Sequence, residues 1–286
     1  MKKKFEAYLE LTKPSILCLV LVTTFLGYYL GGKGVVHLTT MISLLVGVAC
    51  VCAGSSALNH YLEREFDSKM LRTKNRPLPS GRIIPIYALN FGVILALIGI
   101  FILYVKVNIL TSFLSLLTAF LYIMVYTPMK RVSWLNTTVG AIPGAIPPLG
   151  GWAAATGTLN FDAGMLFLIL FLWQHPHFYA IAWMFKEDYK RGGFKMLPVV
   201  EPDGERMFKH ILWFSLFLIP ISLVPALTGL LGPIYFTGAL IAGVWLFRMS
   251  FTFCQTASIV DARQLLKATV YYLPSLLILI FIDTKF

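Results

Sequence analysis

Asn59, Glu63 and Asp67 recur every fourth residue in the stretch Asn59-His-Tyr-Leu-Glu63-Arg-Glu65-Phe-Asp67. On a helix of 3.6 residues per turn each step drifts by only about 40°, so the three form one stripe about 12 Å long. Stacked carboxylates repel unless a cation lies between them. Hard oxygen donors in this number suit Mg²⁺, which keeps waters and shares its shell with substrate phosphates. Downstream come Lys69, Arg72, Lys74, Arg76 and Arg82, whose ammonium and guanidinium groups can neutralise phosphate oxygens. A second acidic pair, Glu187 and Asp188, stands where the sixth apolar run ends and is followed by Lys190, Arg191 and Lys195. Two acidic helix ends, each with a basic loop, suit a diphosphate clamped through bridging metal ions. The matching chemistry is ionisation of an allylic diphosphate. Metal and basic groups would stabilise charge on the leaving oxygens, and a dry aromatic chamber would shelter the allylic cation. The plainer reading of either cluster is a charged helix end at a membrane surface, where Lys and Arg snorkel routinely.

The elements that must position these residues are apolar. Of 286 residues, 58% are hydrophobic and 13% charged, about half the charge of a soluble domain. Nine apolar runs approach the roughly 20 residues that a membrane-crossing helix needs: 15–32, 39–61, 83–105, 109–126, 137–157, 164–185, 211–230, 233–253 and 268–283. The predicted fold class is therefore all-α: nine transmembrane helices around a central cavity open toward the cytoplasmic side, in a single domain over 1–286. With the N-terminus cytoplasmic, 21 of the 24 Lys and Arg fall on one side, leaving Lys33, Lys106 and Lys285 outside. That partition predicts a multi-pass protein with its C-terminus outside; the membrane expected is the cell (plasma) membrane. Gly140, Pro143, Gly144, Pro147 and Pro148 break the fifth run, as membrane helices allow where they line a cavity. The net charge of +11 suits orientation and attraction to the lipid bilayer. It does not suggest nucleic acid, since no soluble basic domain would present it. Cys18, Cys50, Cys52 and Cys254 lie in apolar runs without paired spacing and are read as packing residues.

At this point the residues resemble a known pattern. Asn59-x3-Glu63-x3-Asp67 is similar to the first aspartate-rich motif of the UbiA prenyltransferase superfamily. The run Asp67-Ser-Lys-Met-x-Arg72-Thr-Lys-Asn-Arg76-Pro77 resembles its heme-farnesylating branch. So do Leu11-Thr-Lys13-Pro14, Tyr126-Thr127-x2-Lys130-Arg131, Gly140 through Trp152, Pro176-His177-Phe178 and Asp188-Tyr189. Two departures stand out: Glu63 replaces the usual Asp, and Met184 stands four residues before Asp188, where the superfamily carries a second Asp.

The resemblance implies a Mg²⁺-dependent transfer of farnesyl from farnesyl diphosphate to a vinyl group of heme B, with water added, giving heme O. It implies Asn59, Glu63 and Asp67 on one metal ion and Asp188, with Glu187, on another. Arg72, Arg76, Lys130 and Arg131 would hold diphosphate. His177 lies eleven residues before Asp188, on one helical face and about 16 Å deeper. It is the candidate heme contact, against the commoner reading of a packing histidine. A downstream heme-modifying enzyme or terminal oxidase is the expected partner. Two alternatives stay open: a superfamily enzyme acting on an aromatic acid or quinone precursor, and a membrane transporter with a midplane site.

Overall fold

The computed structural model describes residues 2–284. The chain divides into two compact units: Met1–Leu159 with Glu187–Lys195, and Asn160–Lys186 with Met196–Phe286. Each is described by itself.

Among the described residues, eight helices are long and apolar enough to cross a membrane. Four belong to the first unit: Pro14–Gly31, Leu38–Asp67, Pro85–Lys106 and Ile109–Met129. Their outward faces are apolar, with Ile94, Leu97 and Phe101 more than half exposed, a surface that lipid covers and water does not. Helices that meet lipid on one side cohere through close packing of small residues. Leu38–Asp67 meets Pro85–Lys106 in this way: a Cβ on Gly54 would fall 2.6 Å from the Gly92 carbonyl, and one on Gly99 would fall 2.5 Å from that of Gly47.

The 137–157 run, expected to be one span, is two ten-residue helices, Asn136–Ala145 and Pro147–Thr156. Each is too short to cross a bilayer alone. Pro147 and Pro148 bring no N–H to the helical ladder, yet Ile146 keeps helical angles (φ −70°, ψ −30°), so the backbone continues through the break. The second piece packs on Pro14–Gly31 at backbone distance, because a Cβ on Gly151 would lie 1.9 Å from the Thr24 carbonyl. Ile109–Met129 contains a π-helical turn, Leu121–Tyr126. Such turns recur at functional sites.

The second unit holds Phe161–Met184, Glu205–Leu227, Pro233–Thr256 and Ile259–Asp283. Asn160 and Ser258 cap the first and last of these by accepting the backbone N–H of Ala163 and Asp261, which satisfies donors left over at each helix start. Helix Phe161–Met184 ends at Phe185, whose angles (φ −111°, ψ 24°) leave the helical region. Glu187 and Asp188 therefore do not end the sixth helix. They open a separate short one, Lys186–Arg191, so no continuous helical face runs from Asp188 to His177.

Candidate functional site

The stripe forms as its spacing requires. Asn59, Glu63 and Asp67 are 0%, 5% and 0% exposed on the last turns of Leu38–Asp67. Burial of two carboxylates demands compensation, and each finds a cation. Lys130 Nζ donates to Glu63 Oε1 at 2.7 Å. One guanidinium nitrogen of Arg76 reaches both Asp67 oxygens, at 2.9 and 2.8 Å. Lys13 Nζ donates to Asn59 Oδ1 at 2.7 Å and to the Tyr122 hydroxyl at 3.1 Å. The Asn59 amide nitrogen in turn donates to Thr127 Oγ1 at 2.9 Å.

Lys13 is presented by strained backbone. It sits between helices Lys2–Leu11 and Pro14–Gly31 in the left-handed region, φ 50° and ψ 67°, a conformation costing a side-chain-bearing residue about 1–2 kcal/mol. Burial first, then the neighbouring Arg76 and Lys130, pushes its ammonium down to about 7, against the pull of Glu63 and Asp67. For Lys130, burial favours the neutral amine, but Glu63 and the ionisable hydroxyls on the rings of Tyr126 and Tyr122 outweigh it and raise the pKa. The π-helical turn delivers those rings: Tyr122 and Tyr126 stack at 5.6 Å, and Lys130 lies 4.6 Å from the Tyr126 centroid. Arg131 sits over the Phe66 ring at 4.9 Å, so its guanidinium stays beside the stripe's final turn.

Asp188 belongs to the same unit but is held differently. Its Oδ1 accepts the Leu71 N–H at 3.1 Å and its Oδ2 the Arg72 N–H at 3.2 Å, while the Arg191 guanidinium pairs with Oδ1. Burial opposes its charge, yet these three donors hold the carboxyl below the usual carboxylate range. Arg72 reaches the Tyr189 hydroxyl at 3.2 Å. Glu187 is exposed.

The donor set of the stripe fits Mg²⁺. It offers an amide oxygen and two carboxylates from successive helical turns, and the cations now bonded to those oxygens stand in for metal charge. Among the described residues no group of three or more His, Cys, Asp and Glu could hold a metal ion by itself. Two carboxylates and an amide leave coordination positions of the kind that Mg²⁺ commonly fills with water and phosphate oxygens.

In the second unit, His177 Nδ1 lies 2.8 Å from Thr269 Oγ1. That hydroxyl gives its only proton to the Leu266 carbonyl, at 2.6 Å, so toward His177 it can only accept. His177 therefore carries its proton on Nδ1 and its lone pair on Nε2. Trp173 stacks on the imidazole at 5.1 Å and is itself fixed by its indole N–H donating to the Thr269 carbonyl at 2.8 Å. His175 is fully buried. Its Nδ1 lies 2.8 Å from the Phe171 carbonyl, and the Phe214 ring stacks on it at 3.5 Å.

The sequence profile of the UbiA prenyltransferase family matches residues 20–273. The chain belongs to that family. Among curated relatives, a protoheme IX farnesyltransferase of Solibacter usitatus is 45% identical over 285 residues, covering 96% of this chain and 98% of its own. One of Salinibacter ruber is 42% identical over 276 residues, with 96% and 98% covered. A solved structure from work on digeranylgeranylglyceryl phosphate synthase superposes with a TM-score of 0.83 at 18% identity, covering 99% of this chain and 98% of that one. A UbiA homolog from Archaeoglobus fulgidus bound to GPP and Mg²⁺ gives 0.66 at 15% identity, with 96% and 99% covered. Family membership and the long apolar helices make this an integral membrane prenyltransferase.

Of the residues singled out from the sequence, the structure of the first unit bonds Asp67 to Arg76 and Glu63 to Lys130, with Asn59 on the same helix held by Lys13. It links Asp188 to Arg72 through the backbone. Lys13 and Thr127 stand in the sequence only as members of motifs, and Tyr122 carries no signal in its spacing.

Proposed function

We propose that this chain transfers the farnesyl group of farnesyl diphosphate to a vinyl group of heme B, with addition of water, giving heme O and diphosphate. The observation that carries the reading is the buried oxygen stripe Asn59, Glu63 and Asp67 with Lys13, Arg76 and Lys130 bonded to it. Near-full-length relatives named protoheme IX farnesyltransferase supply the acceptor. Mg²⁺ held by Asn59, Glu63 and Asp67 would neutralise charge on the leaving diphosphate. Arg72, Arg76, Lys130 and Arg131 would bind its remaining oxygens.

In the reaction the C1–O bond of farnesyl diphosphate breaks and its electron pair leaves with diphosphate. The terminal vinyl carbon bonds to farnesyl C1. Water then adds to the cation left on the inner vinyl carbon, and one proton departs. Around the stripe, Tyr122 and Tyr126 present ring faces suited to a nearby allylic cation. His177 would hold the heme iron through Nε2, because Thr269 fixes the tautomer that leaves that nitrogen free. His177 is partly exposed whereas His175 is fully buried, which favours His177 as the ligand.

The same reading treats 1–286 as one prenyltransferase domain, since the family match runs through both compact units. It counts the broken pair Asn136–Ala145 and Pro147–Thr156 as a ninth span beside a cavity open to the cytoplasm. It places the chain in the plasma membrane, and charge distribution supports the N-terminus inside and the C-terminus outside. A heme-modifying enzyme or terminal oxidase would receive the product.

The test is to incubate purified protein with heme B, farnesyl diphosphate and Mg²⁺ and to examine the porphyrins by mass spectrometry. The hydroxyethylfarnesyl adduct is expected from wild type and is absent from a normally inserted Asp67→Ala variant. Prenylation of an aromatic acid in place of heme would overturn the acceptor assignment. Full activity of Asp67→Ala would overturn the metal assignment.

A further inference from the structure

We propose that Asp188 is a positioning residue: its carboxylate clamps the backbone of Leu71 and Arg72, and it does not ligate the metal. This rests on the diphosphate-binding reading of the first unit and assigns its second acidic position a different task.

An ionised carboxylate offers about four acceptor positions. Three of Asp188's are occupied, by the N–H groups of Leu71 and Arg72 and by Arg191. The contrast with the stripe lies in who occupies them. Glu63 and Asp67 are held by the side chains of Lys130 and Arg76, which can turn toward an arriving phosphate. Two of the three donors on Asp188 are main chain, and only Arg191 is a side chain. Releasing Asp188 would take the charged acceptor from the N–H groups of Leu71 and Arg72, whose side chains face outward, in a turn anchored on either side by buried Met70 and Thr73 and by Thr73 Oγ1 donating to the Asp67 carbonyl at 2.8 Å. Hydrogen bonds to an ionised carboxylate are stronger than neutral ones, so two of them hold this turn in place. Its sequence neighbour Glu187 is exposed where Asp188 is buried, and among the described residues no group of three or more His, Cys, Asp and Glu could hold a metal ion.

The rest of Glu187–Lys195 continues the clamp. Tyr189 accepts from Arg72 and lies 5.6 Å beneath its guanidinium. Phe194 packs on Phe66 at 5.8 Å. The Lys195 N–H donates to the Lys130 carbonyl at 2.6 Å, and the Lys195 carbonyl accepts from Asn136 at 3.0 Å. The segment is a strap. One end fixes the turn that bears Arg72, the other the turn that bears Lys130, so the two cationic turns keep their separation.

The test uses full-length protein in detergent, with Mn²⁺ in place of Mg²⁺ followed by electron paramagnetic resonance, and inorganic pyrophosphate binding followed by calorimetry with and without metal. Asp188→Ala is expected to leave Mn²⁺ stoichiometry and affinity as in wild type, whereas Asp67→Asn loses Mn²⁺. Asp188→Ala and Arg72→Ala should each weaken pyrophosphate about tenfold. The double variant should be no weaker than either single one, because both remove the same contact. Asp188→Asn keeps one acceptor oxygen and should fall between; it also serves if the alanine variant fails to fold. Loss of Mn²⁺ from either Asp188 variant, or additive losses in the double variant, would overturn the proposal. If wild type binds no Mn²⁺, the metal reading fails by itself, and metal-free pyrophosphate binding still decides the strap.

Discussion

Lys130 Nζ lies 2.7 Å from Glu63 Oε1, and the two side chains are 14% and 6% exposed. An ion pair this dry is stabilising only while both members are present. Lys130→Met strands a buried carboxylate and is expected to cost about 3–5 kcal/mol. The double variant Glu63→Gln/Lys130→Met should recover most of that stability and none of the activity. Thermal unfolding in detergent measures the first, heme O formation the second. A single variant as stable as wild type would mean that water already screens the pair.

Asp188 predicts an acid-side dependence. Its folded carboxyl titrates below the usual range because Arg191 and two backbone N–H groups outweigh burial. A depressed carboxylate contributes stability above its unfolded pKa of about 3.9 and loses it as pH falls through the folded value. Wild type should therefore lose more stability than Asp188→Asn on acidification below about pH 4. Parallel unfolding curves for the two proteins would remove the charge from the account.

Thr269 should govern heme binding without touching heme. Thr269→Val deletes the acceptor that fixes the His177 tautomer, and changes of this kind typically weaken a metal–ligand bond by about 10–100-fold. Hemin titration followed at the Soret band should show that loss, with Thr269→Ser close to wild type. An unchanged titration in Thr269→Val would separate His177 from the iron.

Two adjacent glycines offer a packing test. Ala at 151 would place a methyl 1.9 Å from the Thr24 carbonyl, while nothing lies within 4 Å of a Cβ at 150. Gly151→Ala should destabilise by about 1–3 kcal/mol or more through forced separation of the helices. Gly150→Ala should be nearly neutral. Equal unfolding temperatures would show that the helix Pro147–Thr156 shifts freely.

Helical periodicity is local information, which is why Asn59, Glu63 and Asp67 could be aligned on one face from their numbering alone. Long apolar runs placed the membrane helices for the same reason, whereas the fifth run, with five Gly and Pro residues from 140 to 148, read as one span and is two helices. The break at Phe185 had no such marker, since phenylalanine neither starts nor stops a helix. Nor could numbering show that Lys13 reaches Asn59 across 46 positions, or that Asp188 spends its oxygens on N–H groups more than a hundred residues away. Those partnerships depend on which helices pack side by side and how far each side chain extends. Spacing names the groups able to bind a cation, but packing chooses which of them are left with oxygens to offer.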